Sequence, residues 1–302
     1  MAYITDIRTL NAERIALLID CCIQAYKAFD TTQASTCRHS AVSSPQGYEL
    51  LDSWSGVDSI FGGDKTVESY GLVFRSTSAP WRYIFAFRGT DSALDMLDDC
   101  GANPQAFVPF APTAKVPGEV RVETGFNDIY RSAAANAAPM QQQLFELIDR
   151  YQASSRPIDE LLVTGHSLGA ALSLLFTLDL SLSNTGLAAE NINFASPRVG
   201  NEAFVDLIEQ RVAQPVLRVQ NIHDAVPHLP PEELGFRHTP AVYRIAFRSN
   251  DLLGKRDVLA SHSSINYRAV LQCALQSPGG ICSEPHLSIA EGIAPICSEP
   301  PQ

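Results

Sequence analysis

The amino-acid sequence predicts an α/β fold, in which helices cover both faces of a central, mainly parallel sheet. The main observation is that strand-like and helix-like segments alternate through the middle of the chain. A short apolar segment at 161–164 is typical of a strand that is buried on both faces. The chain has 302 residues, of which 45% are hydrophobic, which is enough for a large core. We therefore expect a single domain over residues 1–302.

Each predicted element follows from a local pattern. Residues 11–29 carry apolar side chains at helical spacing and are predicted to form a helix. Residues 30–65 are rich in Ser, Thr, Gly and Asp, which favours loop. Residues 125–151 are predicted to form one long helix. The other predicted elements are strands at 70–76, 82–87, 161–164, 191–195, 216–220 and 243–247 and helices at 168–182, 202–212 and 263–276.

The pentapeptide Gly-His-Ser-Leu-Gly at 165–169 lies between the predicted strand at 161–164 and the apolar helix at 168–182. This position places Ser167 on a sharp, strained turn, and glycine on both sides keeps the crowded turn free of side-chain clashes. The turn presents the serine hydroxyl at the carboxyl end of the sheet, and the helix N-terminus directs its amide groups to the same spot. The pattern predicts that Ser167 is the nucleophile of a serine hydrolase.

With the two alanines that follow it, this pentapeptide resembles the nucleophile elbow of the class 3 lipases, the fungal-lipase-like branch of the α/β-hydrolases. The resemblance runs from about residue 70 to residue 270. It includes the segment Ala-Ser-Pro-Arg-Val-Gly-Asn at 195–201, which we interpret as structural, with Asn201 as the cap of the next helix. The resemblance implies the α/β-hydrolase fold, a Ser-His-Asp triad with an acyl-enzyme intermediate, and neither a metal nor a cofactor.

The substrate class is also implied by the resemblance. It points to a lipase that hydrolyses triacylglycerols or other acylglycerols, with phospholipase A or feruloyl-type esterase activity as alternatives. A catalytically silent relative that only binds a lipid is an alternative of a different class, against which the ordered triad residue types argue. Protease activity rarely accompanies these motifs.

In the α/β-hydrolase chain order, the acid and then the histidine follow the nucleophile. The segment at 221–231 is similar to the family's N-x-x-D-x-V-P-x-L-P-P, which implies that Asp224 orients the base. His262 begins a segment that resembles the family's H-x-x-x-x-Y, which implies that it is the general base. His166 precedes any downstream acid and cannot fill this role, and Asp257 is the reserve acid.

The segment Phe-Arg-Gly-Thr at 87–90 resembles the family's F-R-G-[ST] motif. The resemblance implies that Thr90 supplies one donor to an oxyanion hole and that the amide of Leu168 supplies the other. The family places an aspartate nine positions further on, where it steadies the oxyanion hydroxyl, which implies this role for Asp99. Three other aspartates crowd the same stretch: Asp91, Asp95 and Asp98.

Residues 91–110 occupy the position of the family's lid and are predicted to be irregular. Leu94, Met96 and Leu97 supply apolar side chains, but four acidic residues oppose an apolar face, so we hypothesise weak interfacial activation. The family commonly has Trp where this chain has Met96, and His where it has Glu123. These departures make esterase a firmer description than lipase.

The net charge of −11 and the sequence pI of about 5.0 bear on the choice of partners. An acidic surface argues against nucleic acid, which binds mainly through Lys and Arg contacts to phosphates. It also argues against electrostatic docking on an anionic membrane. We expect a small-molecule ester or lipid substrate, at most transient contact with a lipid surface, and no obligate protein partner.

The seven cysteines include no C-x-x-C pair, which gives little support to a zinc or redox site. We expect free thiols, with a disulfide between Cys282 and Cys297 as the main alternative. Residues 277–302, which contain this pair, are rich in Pro, Gly and Ser and are predicted to be irregular. The segment 1–6 contains no basic stretch followed by an apolar one, so we expect a cytoplasmic protein, or a secreted one if a signal segment has been replaced.

Overall fold

A computed structural model describes residues 11–32, 42–58, 66–90, 104–183, 185–247 and 258–276 of the chain. Its strands are, in order, β1 (Tyr48–Asp58), β2 (Thr66–Ser76), β3 (Arg82–Phe87), β4 (Pro104–Ala106), β5 (Arg121–Glu123), β6 (Glu160–Gly165), β7 (Ala189–Phe194), β8 (Gly200–Asn201), β9 (Leu217–Asn221), β10 (Phe236–Arg237) and β11 (Val242–Ile245). Its helices are α1 (Ala12–Thr32), α2 (Thr124–Arg131), α3 (Met140–Gln152), α4 (Leu168–Leu182), α5 (Glu202–Arg211), α6 (Val258–His262) and α7 (Ser264–Gln276).

The seven-stranded central sheet has the order β1-β2-β3-β6-β7-β9-β11. The strands β1, β2 and β3 pair antiparallel, and from β3 onward each neighbouring pair is parallel. The inner parallel strands are buried along nearly their whole length because helices cover both faces. The prediction of a mainly parallel sheet between helices is confirmed.

Two hydrophobic cores lie on opposite faces of this sheet, and β6 contributes to both. Leu161 and Val163 belong to the core that α2, α3, α4 and α5 close, whereas Leu162 belongs to the core that α1 and α7 close. This alternation follows from the two-residue period of a strand. Packing on both faces therefore fixes β6 up to Gly165, where the chain turns into α4.

A second, smaller sheet has the order β10-β8-β5-β4, and its strands pair antiparallel. At its centre, a Cβ on Gly200 would lie 2.6 Å from the carbonyl oxygen of Arg121, so this position requires glycine. The next residue, Asn201, accepts a hydrogen bond from the backbone N–H of Phe204 at 3.1 Å. The prediction that Asn201 caps the following helix, α5, is confirmed.

The prediction of mostly loop over 30–65 is wrong where β1 lies. This strand pairs with β2 along its length and has two irregularities in register. Trp54 and Val57 are buried, whereas Ser53, directly before Trp54, is exposed. Because β1 is an edge strand with one solvated side, it lacks the continuous apolar run that identifies the inner strands.

The prediction of a single helix over 125–151 is also wrong. The helix α2 ends at Arg131, and α3 begins at Met140. Pro139 is the N-cap of α3, and a proline disfavours helical conformation in the residue before it. The alanine-rich residues between the two helices therefore leave the helical path despite their high helix propensity.

No helix within the described ranges is long and apolar enough to cross a bilayer. Cys21 and Cys22 are buried free thiols, as expected, whereas Cys273 is disulfide-bonded. Cys282, Cys297 and the rest of the tail at 277–302 lie outside the described residues.

Candidate active site

The turn between β6 and α4 has the strained geometry that its sequence predicts. Ser167 has φ 59° and ψ −128°, which is an unfavourable backbone conformation for a residue with a Cβ. A Cβ on Gly165 would lie 2.1 Å from the carbonyl oxygen of Gly169, and one on Gly169 would lie 2.4 Å from that of Arg88. Only glycine fits on either side of the serine. The Ser167 N–H donates to the carbonyl of Phe194 on β7 at 3.0 Å, which fixes the turn to the sheet.

Three side chains predicted to form a triad meet at this turn. The Oγ atom of Ser167 lies 2.8 Å from Nε2 of His262, and Nδ1 of His262 lies 2.8 Å from Oδ2 of Asp224. All three side chains are buried. A carboxylate only accepts hydrogen bonds, so Nδ1 carries the proton and Nε2 is left to accept the hydroxyl hydrogen of Ser167. This arrangement is suited to removing the proton from the serine.

Asp224 is held by two further donors that sequence reasoning did not assign. The backbone N–H of Val226 donates to its Oδ1 at 3.0 Å, and the hydroxyl of Tyr267 donates to its Oδ2 at 2.9 Å. Burial, and then the charge of Asp224, raise the pKa of Tyr267 well above its usual range, so this hydroxyl remains a donor. Tyr267 is the tyrosine of the H-x-x-x-x-Y segment that begins at His262, so the motif itself could have pointed to this role.

Asn221, at the end of β9, connects the segment that carries Asp224 with the helix that carries His262. Its Nδ2 donates to the carbonyl of Ser261 at 2.8 Å, and its Oδ1 accepts from the N–H of Phe247 at 3.1 Å. The amide side chain thus ties β9 to α6 one residue before His262. Asn221 begins the segment that resembles the family motif, but sequence reasoning gave it no role.

His166 is buried inside the same turn. Its Nε2 lies 2.8 Å from the backbone oxygen of His262, and its Nδ1 lies 2.9 Å from the hydroxyl of Tyr26 on α1. Burial lowers the pKa of His166 well below its usual range, and the nearby His262 lowers it further. The ring is therefore neutral. It bonds to the main chain of His262, whereas the serine hydroxyl bonds to the side chain of His262.

The residues expected to form an oxyanion hole flank the turn. Thr90 follows Gly89, and a Cβ on Gly89 would lie 2.8 Å from Cβ of Ser167, so this segment packs directly against the serine. Leu168 is the first residue of α4, and a helix leaves the N–H of that residue without an intrahelical acceptor. Asp99 and the aspartates near it lie outside the described residues.

Arg88 fixes the segment that leads to Thr90. Its buried guanidinium donates to the carbonyl of Gly89 at 2.7 Å and to Oε2 of Glu68 at 2.5 Å. It also lies over the rings of Phe29, at 3.8 Å, and Tyr70, at 4.3 Å. The paired charge and the two aromatic rings hold this arginine in place, which constrains the backbone next to Thr90.

Glu123, which departs from the family pattern, has a structural role. Its Oε2 accepts a hydrogen bond from the N–H of Phe126 at 2.8 Å, and it is the N-cap of α2. Burial raises the pKa of this carboxyl above its usual range. The substitution of the family's histidine therefore supplies a helix cap.

Another buried acid, Asp179, lies near the far end of α4. Its Oδ1 accepts from the N–H of Phe110 at 2.7 Å and from Oγ of Ser183 at 3.2 Å. Its Oδ2 accepts from the hydroxyl of Tyr130 at 2.9 Å and from Nε2 of Gln141 at 2.6 Å. This carboxylate joins α2, α3 and α4 to Phe110, the last residue of the segment 91–110 that occupies the position of the family's lid. Sequence reasoning missed it because α4 reads as almost entirely apolar.

Within the described residues, no group of three or more His, Cys, Asp or Glu side chains is arranged to hold a metal ion. The acids and histidines of the site instead bond to one another and to neutral donors. The reserve acid, Asp257, lies outside the described residues.

Comparisons with a family model and with individual proteins point to the same family. The chain matches the family described as Lipase (class 3) over residues 84–234, which is half of its 302 residues. It is 32% identical to a lipase of Rhizomucor miehei over 186 residues, which cover 60% of this chain and 46% of that lipase. It is 29% identical to a secreted mono- and diacylglycerol lipase of Malassezia globosa over 171 residues, which cover 55% of this chain and 52% of that protein.

The solved structures agree on the fold. Lipase II from Rhizopus niveus is similar with a TM-score of 0.60 and 24% identity, covering 78% of this chain and 81% of that chain. The α/β-hydrolase fold that the sequence implies is confirmed by this likeness and by the strand order. The chain spans about half the length of the curated relatives it matches.

Proposed function

Because the chain belongs to the class 3 lipase family, we propose that it is a serine hydrolase that cleaves carboxylic esters, with acylglycerols as its substrates. The observation that carries the proposal is the chain of hydrogen bonds from Ser167 through His262 to Asp224. Its members are in the order nucleophile, acid and base along the sequence. The glycine-flanked strained turn supports the same reading.

In the first half of the proposed reaction, Nε2 of His262 takes the proton from Ser167 while Oγ bonds to the ester carbonyl carbon. The carbonyl π electrons move to oxygen, and the N–H groups of Thr90 and Leu168 stabilise that oxyanion, each contributing about 3 kcal/mol. The negative charge of Asp224 stabilises the imidazolium. The imidazolium then protonates the alcohol oxygen as its bond to carbon breaks, which leaves an acyl-enzyme.

In the second half, a water molecule takes the place of the alcohol. His262 removes its proton, the water oxygen bonds to the acyl carbon, and collapse of the oxyanion releases the acid and returns the proton to Ser167. We assign Asp99 to steadying the Thr90 hydroxyl, which the family resemblance supports. The chemistry requires no metal and no cofactor.

A relative from Malassezia globosa is described as a mono- and diacylglycerol lipase, which supports acylglycerols as the substrates. The four acidic residues at 91–99 oppose a strongly apolar lid, so we retain weak interfacial activation and at most transient contact with a lipid surface. We also propose that residues 1–302 form one domain, because both cores share the central sheet.

We propose that the protein is secreted and not cytoplasmic. A relative from Malassezia globosa is described as secreted. Cys273 is disulfide-bonded, and such bonds persist mainly in oxidising compartments. Detection of the protein in the culture medium tests this location.

Hydrolysis assays on the purified chain test the proposed activity. The panel is p-nitrophenyl esters with acyl chains from short to long, together with an emulsified triacylglycerol and a phosphatidylcholine. We expect ester and acylglycerol hydrolysis, reduced about 10⁶-fold by Ser167→Ala. The matched control is Ser181→Ala, on the same helix, whose hydroxyl only donates to the carbonyl of Leu178. A folded chain that binds lipid but hydrolyses none of these substrates would identify a catalytically silent relative instead.

A further inference from the structure

His166, the residue directly before the serine, makes contacts that the triad mechanism does not use. It is 3% exposed, and both ring nitrogens are within hydrogen-bond distance of a partner. Sequence reasoning only excluded it as the base. Its two partners come from opposite ends of the chain: the hydroxyl of Tyr26 on α1 and the backbone oxygen of His262 on α6.

The proton positions on the His166 ring follow from its partners. A carbonyl oxygen only accepts, so Nε2 must carry the proton that it donates to His262. In a neutral ring, Nδ1 is then an acceptor, and the hydroxyl of Tyr26 is its donor. One tautomer satisfies both contacts: the carbonyl of His262 selects it, and the hydroxyl of Tyr26 is compatible with it.

Two consecutive residues thus hold His262 at two points. Ser167 bonds to its side chain at 2.8 Å, and His166 bonds to its main chain at 2.8 Å. His262 is the last residue of α6, a helix of five residues that ends there, and therefore depends on contacts from outside its own helix. Accepting, as this inference does, that the chain is a serine hydrolase, we propose that His166 is a positioning residue that, with Tyr26, fixes the main chain of His262 within reach of Ser167.

The helix α1 is part of this frame. Sγ of Cys22, one turn before Tyr26, lies 3.5 Å from Oγ1 of Thr164, so α1 runs beside the end of β6. The Tyr26 hydroxyl would lie 2.2 Å from a Cβ on Gly89, so it also packs against the oxyanion segment. Tyr26 lies outside the residues 84–234 that match the family. A helix beyond the matched region therefore contributes to the geometry of the site.

The neutrality of His166 matters for the reaction. Its ring centroid is 4.8 Å from that of His262, which becomes an imidazolium when it takes the serine proton. A second positive charge at that distance would oppose this step. Burial keeps the pKa of His166 well below its usual range, so the ring supports His262 without repelling it.

Steady-state kinetics of variants at these two residues test the proposal. His166→Leu removes the donor, and we expect kcat to fall about 10- to 100-fold with KM nearly unchanged, because the base is displaced while the substrate pocket is not. In His166→Gln, an amide N–H can take the position of Nε2, and most of the loss should be recovered. We expect Tyr26→Phe to lower kcat by less, about 3- to 10-fold.

The matched control for Tyr26→Phe is Tyr83→Phe. The Tyr83 hydroxyl is also buried and donates to a backbone carbonyl, that of Arg156, at 2.6 Å, but it lies near the start of β3, at the other end of the sheet. We expect kcat of this variant to equal that of the wild type. Equal losses in Tyr83→Phe and Tyr26→Phe would overturn the proposal, since both would then report general packing.

A readout that does not depend on activity separates this inference from the proposed function. The Nδ1–H of His262, bonded to Asp224, should give a downfield proton NMR signal, which we expect in the wild type and His166→Gln but not in His166→Leu. A signal and kcat that are unchanged in folded His166→Leu would overturn the positioning role even if the protein is an esterase. If His166→Leu does not fold, His166→Asn takes its place in the test, because the asparagine side chain is too short to reach the carbonyl of His262. A kcat of His166→Asn equal to that of His166→Gln would then overturn the proposal.

Discussion

Two buried aspartates, Asp224 and Asp179, show how surroundings decide what a carboxylate does. Both are almost fully removed from solvent and both accept several hydrogen bonds. Asp224 has a histidine within 2.8 Å that in turn contacts Ser167, whereas Asp179 is surrounded by neutral donors from Phe110, Tyr130, Gln141 and Ser183. The first can stabilise a charge that appears during a reaction, and the second can only stabilise a fixed arrangement.

Their positions reinforce the difference. Asp224 follows β9 at the same end of the sheet as the serine turn. Asp179 is twelve residues after Ser167 along α4, which corresponds to about 18 Å of helix. Burial raises the pKa of Asp179 above its usual range, because desolvation outweighs its hydrogen bonds. Substitution at one aspartate should therefore change the rate, and substitution at the other should change the stability.

The largest effect is expected from Asp224→Asn. An amide at this position would present an N–H to Nδ1 of His262, which would move the imidazole proton to Nε2 and remove the acceptor for Ser167. By analogy with the same change in serine proteases, we expect kcat to fall about 10⁴-fold in a chain that remains folded. Ester hydrolysis and urea unfolding of the same preparation check both. A fall of less than tenfold would contradict the assigned role.

Asp179→Asn should show the opposite profile. Its amide nitrogen would face donors that now bond to the carboxylate, leaving at least one of them unsatisfied, at a cost of about 2 kcal/mol in the free energy of unfolding. The rate should change less than threefold because the site is distant. The control is Asp128→Asn, a half-buried residue that accepts a single side-chain hydrogen bond, from Gln105. Equal destabilisation by both substitutions would show that the hydrogen bonds of Asp179 stabilise the fold no more than the single bond of Asp128.

The smallest expected effect concerns pH. The pKa of His166 is well below 6.5 in the folded state and close to 6.5 in the unfolded chain. Between these values the unfolded state binds one more proton, so the free energy of unfolding falls by about 1.4 kcal/mol per pH unit as the pH decreases below 6.5. Asp179, whose pKa is raised, works in the opposite direction: its ionisation destabilises the fold as the pH rises through its folded pKa.

Urea unfolding of the wild type and of His166→Gln at pH 7.5, 6.5 and 5.5 isolates the contribution of His166. In His166→Gln, the loss of stability between pH 6.5 and 5.5 should be smaller than in the wild type by about 1 kcal/mol. An identical pH dependence in both proteins would mean that the pKa of His166 is the same in the folded and unfolded states, which would contradict its burial as a neutral ring.

The sequence predicted the parts of this molecule that depend on local pattern. The strand β6, the glycines around Ser167 and the helix α4 follow from apolar runs and from the space that the turn leaves. The motifs around Asp224 and His262 identified two further residues that the structure brings to the serine.

The remaining features depend on how distant segments pack. The bond from His166 to the main chain of His262 exists because α1 and α6 are both held against the same sheet, which no local pattern reports. Asp179 lies hidden in an apolar helix, and its donors come from three other segments. The edge strand β1 was missed because polar and exposed residues interrupt its apolar ones, so it lacks the continuous apolar run of the inner strands.

Labelling with a fluorophosphonate probe, followed by mapping of the modified peptide by mass spectrometry, tests the central claim most directly. The claim predicts a covalent adduct on Ser167 in the wild type, a labelling rate that is much lower in Asp224→Asn, and a rate close to that of the wild type in Asp179→Asn. A folded wild type that carries no adduct on Ser167, or equal labelling rates in Asp224→Asn and the wild type, would contradict it.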